Sequence, residues 1–183
     1  DMGVDRETVA EMNKDVKRLS TIASRFSKIG SRPSMDDEDL NEVAIRSAEY
    51  MSTRISQRIN FSIIPSDRPL PVRLSAPLTE WVMENLIKNA VDAMEGKGSI
   101  TVRIYADKDN AAVDITDTGK GISRKHLKTI FNPGFTTKSR GWGLGLTLAR
   151  RIIEEYHEGR IYVKQSEPGA GSTFTIEIPL RKE

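Results

Sequence analysis

The sequence predicts an α+β fold, a two-layer α/β sandwich in which helices cover one face of a mixed sheet, preceded by a long coiled-coil-like helix. Three observations lead there. Alternating runs bounded by turn residues recur at 59–64, 99–106, 111–117, 160–165 and 172–178, and these read as strands. Amphipathic stretches at 75–94 and 143–156 fall between strands and read as helices that cover the sheet. An apolar seam in steps of three and four runs through 6–29.

Each element has a local cause. In 6–29 the seam is Val9, Met12, Val16, Leu19, Ala23 and Phe26, widened by Ile22 and Ile29. The opposite face carries Glu11, Lys14, Asp15, Lys17, Arg18 and Arg25. Such a stripe needs a partner helix, so a bundle shared with further sequence or a second subunit is expected. Gly30 to Ser34 breaks the pattern and reads as a hinge. A second helix is expected over 37–58, with Asp36, Asp37, Glu38 and Asp39 at its N-terminus, where acidic groups meet the helix dipole. Residues 65–71 read as a turn-rich connection. Ser75 is placed to cap the next helix, with Pro77 in its first turn, and Gly96 and Gly98 end it. A hairpin turn is expected at 107–110 and a short helix from Ser123. A loop is expected at 131–142, and turns at Glu158-Gly159 and 167–171.

Composition narrows the function. With 183 residues the chain can bury one core and a small appendage. Net charge is only +2, and no basic tract has interleaved aromatics, which argues against nucleic acid as a partner. Cysteine is absent, so disulfides and thiolate metal sites are excluded and a reducing compartment suits the chain. No apolar run reaches the length of a membrane span and no signal peptide is visible. A cytoplasmic chain without direct membrane contact is expected. Residue 1 falls inside a helical pattern, so the chain reads as a fragment whose longer parent is free to carry a membrane anchor.

Three segments then point to one nucleotide site. On the 75–94 helix, Asn85 and Asn89 are four residues apart and share a face, with Glu84 and Asp92 close by. An amide oxygen is a hard ligand suited to Mg²⁺ that bridges phosphates. Asp117 ends an apolar strand and is followed by Gly119 and Gly121. Its carboxylate can accept a hydrogen bond from an exocyclic amine such as adenine's, and the glycines let backbone approach a flat ring. Gly141, Gly143 and Gly145 open a helix whose first amides suit phosphate oxygens, with Lys138 and Arg140 just before them. The spacing matches neither a Walker A loop nor a Rossmann fingerprint. Each segment alone is also compatible with an ordinary surface pair, turn or loop.

In this order the segments resemble the ATP-binding catalytic domain of sensor histidine kinases, within the wider Bergerat-fold ATPases. Residues 84–92 are similar to the N box, 117–121 to the G1 box, 131–138 to the F box and 141–146 to the G2 box. The stretch 171–174 is similar to the closing strand. The resemblance covers about residues 36–180. It implies ATP and Mg²⁺ as cofactors, with Asn89 the metal ligand and Asp117 at the adenine amine, assisted by Thr173. It further implies nucleotide contacts from Asn85, Asp92, Gly119, Gly121, Ile122, Phe131, Thr136, Thr137, Lys138, Gly141, Gly143, Leu144, Gly145 and Leu146. Residues 1–31 resemble the second helix of a dimerisation and phosphoacceptor hairpin, and 32–183 the catalytic domain. That implies a homodimer once the hairpin is complete, and a response regulator receiver domain as partner.

The same resemblance separates two chemistries. Hydrolytic relatives place a Glu four residues before the metal-ligand Asn to activate water. This chain has Asn85 there, which cannot act as a base. Glu84 is one residue earlier and about 100° round the helix, pointing toward an incoming imidazole. Transfer of the ATP γ-phosphoryl to a histidine is therefore expected, with Glu84, Asn85, Lys138 and Arg140 at the reaction. The acceptor is expected on a helix outside this chain, because His126 and His157 read as surface or turn residues. The alternatives are a hydrolytic ATPase of the same fold, and a module that binds nucleotide or a partner without kinase activity.

Overall fold

The structure, a computed structural model, describes residues 33–137 and 143–182. The helix expected at 6–29 lies outside the described residues, as do Lys138, Arg140 and Gly141. Residues Met35–Glu183 fold as one unit.

Five strands form the main sheet, in the order β2 (Ile59–Ile64), β4 (Gly98–Asp107), β5 (Asn110–Asp117), β7 (Gly171–Pro179) and β6 (Arg160–Glu167). β2 runs parallel to β4, and the other pairs are antiparallel, so the sheet is mixed. A second, two-stranded sheet pairs β1 (Asp36–Asp39) with β3 (Pro71–Leu74). The helices are α1 (Leu40–Ser52), α2 (Ala76–Ala93), α3 (Arg124–Leu127) and α4 (Gly145–Arg151), the last continuing as a π-helical turn over Ile152–Tyr156.

Strand periodicity explains the layers. Register aligns Ile104, Val113, Ile176 and Ile161 across four strands, and Val102, Ile115 and Phe174 in the next rank. All are buried, as are Val43, Met83, Leu86, Ile87 and Ile152 of the helices. Burial of each such side chain contributes about 1.5–3 kcal/mol. The opposite face is polar yet also closed. Asp114, Thr175 and Glu177 are buried there under Tyr105, Tyr162 and Lys164. Asp114 gathers three donors: Thr175 Oγ1 at 2.7 Å, Lys164 Nζ at 2.8 Å and the Tyr105 hydroxyl at 3.1 Å.

Several boundaries depart from the sequence reading. Asp36–Asp39 is a strand rather than the start of a helix, because it has a partner in Pro71–Leu74, just after the stretch read as turns. Asp39 serves the helix: its carboxylate accepts from Asn41 N at 2.9 Å and from Leu70 N at 2.8 Å. α1 stops at Ser52, not Arg58. There the Ser52 and Thr53 hydroxyls donate to the Glu49 and Tyr50 carbonyls and compete with further helix. Ser75 is the N-cap residue of α2, but its side chain makes no capping bond.

Candidate functional site

The site is built on α2, which touches two glycine-bearing loops. Near its C-terminal end, the Ala93 carbonyl accepts from Lys120 N at 2.9 Å. A Cβ on Gly119 would lie 2.6 Å from that same carbonyl oxygen. A Cβ on Gly121, at φ +68°, would lie 2.0 Å from the Glu167 carbonyl oxygen. These two glycines are thus required by the protein's own backbone, whatever ligand the loop faces. Gly121's close contact fixes the loop against the β6–β7 turn, and Ile122 N donates to Ser166 Oγ at 2.8 Å.

Asp117 is fixed by that loop. Its carboxylate accepts from Gly119 N at 2.7 Å and from the Ser172 backbone. Burial raises its pKa above the usual carboxylate value of 3.8, and these two bonds partly offset the rise. Register places Ser172, not Thr173, opposite Asp117. Thr173 lies opposite Thr116, and their hydroxyls are 3.0 Å apart. Ser172 is thus the strand partner of Asp117, and its hydroxyl is 2.9 Å from Ser166 Oγ, while Thr173 lines the same recess. The sequence signal that could have found Ser172 is strand pairing: opposite residues in an antiparallel pair share a face. A polar recess of about 290 Å³ lies here, lined by Asp117, Gln165, Ser166, Ser172 and Thr173 among others.

At the middle of α2, Asn85 meets the second loop. A Cβ on Gly145 would lie 2.5 Å from Asn85 Oδ1, so α4 starts directly against this amide. Asn85 Nδ2 is buried and has no hydrogen-bond partner among the described residues. A buried donor without a partner costs about 1–3 kcal/mol, and a phosphate oxygen would satisfy it. The N-cap residue Leu144 offers no side-chain capping bond, which leaves the first amides of α4 without side-chain caps. Asn89 is half-buried one turn along the same face, and Asp92 is exposed.

Other expected residues fall into place less evenly. Phe131 is buried edge-on against Phe174, and its carbonyl accepts from Thr147 Oγ1 at 3.0 Å. Gly134 N donates to Gly143 O at 3.2 Å, which pins the two described ends of the loop together. Thr136 and Thr137 are exposed, and Leu144 and Leu146 are half-buried. Glu84 pairs with Lys88 one turn on, and is not brought to the Asn85–Gly145 contact. His126 is half-buried, edge-on to Phe135 and 3.2 Å from Ser123 Oγ. His157 is a clear correction: it is 3% exposed, with both ring nitrogens engaged.

The family model described as "Histidine kinase-, DNA gyrase B-, and HSP90-like ATPase" matches residues 76–182, the stretch from the first residue of α2 past the end of β7. The chain belongs to this family. Within it, the chain resembles sensor histidine kinases over almost its whole length. It is 32% identical over 182 residues to the sensor histidine kinase ZraS of Salmonella typhi, covering 97% of this chain and 39% of that protein. To the signal transduction histidine-protein kinase AtoS of Escherichia coli it is 37% identical, covering 98% of this chain and 30% of that one. The catalytic domain of histidine kinase ThkA superposes with a TM-score of 0.71 at 30% identity, over 80% of this chain and 95% of that domain. ThkA in complex with the response regulator protein TrrA gives 0.75 at 25% identity, over 99% of this chain and 53% of that one. The chain thus spans about two fifths or less of these curated relatives. No described helix is long and apolar enough to cross a membrane.

Proposed function

We propose that the chain is the nucleotide-binding catalytic part of a histidine protein kinase, with residues 1–31 the second helix of a dimerising hairpin and 32–183 the catalytic domain. It would transfer the ATP γ-phosphoryl to a histidine of the kinase for relay to a response regulator aspartate. One observation carries the reading: α2 is the common wall of the site, touching the Asp117 loop at Ala93 and the α4 start at Asn85. A flat base at Asp117 and phosphates at Asn85 and α4 would then span a single nucleotide.

The donor set fits Mg²⁺ held jointly with ATP. The described residues contain no cluster of three or more His, Asp or Glu side chains that could hold a metal. A single amide ligand, Asn89, suits an ion that keeps waters and binds chiefly to phosphate oxygens. Bound there, Mg²⁺ would neutralise phosphate charge. Asp117 would accept the adenine amine, backed by Ser172. Asn85 Nδ2 and the first amides of α4 would donate to phosphate oxygens, with Lys138 and Arg140 supplying further positive charge. Asn85 has no carboxylate to deprotonate water, which favours transfer over hydrolysis. Neither histidine of this chain suits the acceptor role. His157 has both nitrogens bonded inside the fold, and His126 is held against Phe135 and Ser123.

Homology to proteins named as sensor kinases, and to one solved with a response regulator, supports the same reading. The test is to mix the chain with Mg²⁺ and ATP and follow binding, phosphate release and protein labelling. Tight binding with little hydrolysis is expected. Joined to a complete hairpin, the protein should accumulate a phosphoramidate stable to base and labile to acid, unaffected by His126→Ala. Brisk phosphate release, or no labelling of the completed protein despite binding, overturns the proposal.

A further inference from the structure

The two helices that flank the site touch at two well-separated places. At the site, Gly145 of α4 abuts Asn85 of α2. Ten residues back along α2, roughly 15 Å at the helical rise, Ser75 meets His157, the residue that follows the π-turn. As numbers fall along α2 they rise along α4, so the helices run antiparallel and are pinned at both ends of this stretch. The far pin is polar and fully enclosed. His157 Nδ1 is 2.8 Å from the Ile152 carbonyl and so must donate to it. His157 Nε2 accepts from Ser75 N at 3.0 Å and lies 3.3 Å from Thr79 Oγ1. Thr79 is fully buried, and Ser75 has no capping bond of its own. The residue from which α2 starts is therefore held by the neighbouring helix.

We propose that His157 is a positioning residue for the nucleotide site, fixing the spacing of α2 and α4 and with it the fit of Asn85 against Gly145. This rests on the nucleotide reading of that site. The contact at Gly145 is close, since even a methyl group there would meet Asn85. A change of spacing at the far pin must therefore change where the Asn85 amide stands relative to the first amides of α4. The ring spans the two bonds because its nitrogens lie on opposite edges: Nδ1 serves its own helix and Nε2 serves α2.

Two substitutions separate those bonds. His157→Gln places an amide oxygen near the position of Nε2 and keeps an acceptor for Ser75, but loses the bond to Ile152. His157→Asn keeps a donor for Ile152 and falls short of Ser75. If His157 sets the spacing, the Gln variant binds Mg²⁺-ATP within about threefold of wild type and the Asn variant at least tenfold more weakly. The Asn85 side-chain amide and Gly145 backbone amide resonances of the ligand-free protein then shift in Asn and not in Gln. The reverse ranking means that His157 only caps its own helix, and equal, wild-type binding by both means that it does nothing for the site; either overturns the proposal. Should neither variant fold, wild-type protein decides. Coupling is reciprocal, so ATP must slow hydrogen exchange at the Ser75 amide, and unchanged exchange overturns the proposal. If the wild type binds no ATP, the nucleotide reading fails by itself, and the resonance pattern of the two variants still decides whether His157 sets the helix spacing.

Discussion

An amide oxygen is a neutral ligand, so under the proposed reading Asn89 can hold Mg²⁺ only in company with phosphate. Asn89→Ala should therefore abolish the Mg²⁺-dependent part of ATP affinity, and calorimetry with and without the ion should show one weak, metal-independent isotherm. Wild-type metal dependence in the variant would remove Asn89 from the site. Asp117 gives a second prediction. Asp117→Asn exchanges an acceptor for a group that can present a donor to the adenine amine. An unpaired buried donor costs about 1–3 kcal/mol, so a loss of about tenfold or more is expected. The pH dependence follows from the raised pKa. The bound amine favours the carboxylate, so binding releases a proton wherever Asp117 is protonated in the free protein. Affinity should fall as pH drops into the acid range from above, and Asp117→Asn should flatten that limb. At this scale the sequence was informative about Asp117 and Asn85, whose chemistry is carried by residue type. It was silent on Ser172 and put His157 at the surface or in a turn, because their partners lie 55 and 82 positions away and only register and helix packing bring them together.

At the scale of elements, the longest periodic segments were the most legible. α2 and the strands at 59–64, 98–107, 110–117 and 171–179 fall close to their expected places because apolar spacing alone marks them. β1 and β3 were not legible: each has four residues, one is wholly acidic and the other begins with proline, and each is a strand only because the other pairs with it. The π-turn was hidden likewise, since Ile152–Tyr156 reads as ordinary helix. Gly145 tests the α2–α4 contact directly. Near a helix start, Gly→Ala should on propensity alone stabilise by up to about 1 kcal/mol. Here the new methyl meets the end of the Asn85 side chain, which can swing away while backbones stay put. Gly145→Ala should thus retain its melting temperature within a few degrees and lose ATP affinity at least tenfold. A variant that binds ATP normally would show that the Asn85–Gly145 fit is irrelevant to the nucleotide.

For the molecule as a whole, stability is shared between an apolar core on one side of the sheet and a closed polar layer on the other. Asp114→Ala would strand Thr175 and Tyr105 without their acceptor and remove the partner of Lys164, whose pKa that carboxylate holds well above the ordinary lysine value. A loss of about 1–3 kcal/mol in urea unfolding is expected, with ATP affinity little changed, since this layer lies on the sheet face opposite the apolar core. Two buried groups of the other layer should then shape stability against pH with opposite signs. Burial lowers the His157 pKa below 6.5, and the three groups bonded to the ring, from Ser75, Thr79 and Ile152, carry no charge to restore it. In the unfolded chain the ring takes up a proton near pH 6.5, while the folded chain resists it. The His157 contribution is thus intact above that pH and is lost as pH falls toward the folded-state pKa. Asp117 acts in reverse: its folded pKa is raised, so protonation favours the folded state as pH falls through that value toward 3.8. Many surface carboxylates titrate in the same acid range, so the differences between variants carry the test. Stability of wild type minus that of His157→Gln should decline from above pH 6.5 downward, and stability of wild type minus that of Asp117→Asn should rise at lower pH. A difference curve for His157→Gln that is flat between pH 8 and pH 5 would mean that the ring is protonated as easily in the folded chain as in the unfolded one, and that its two bonds do not hold it neutral.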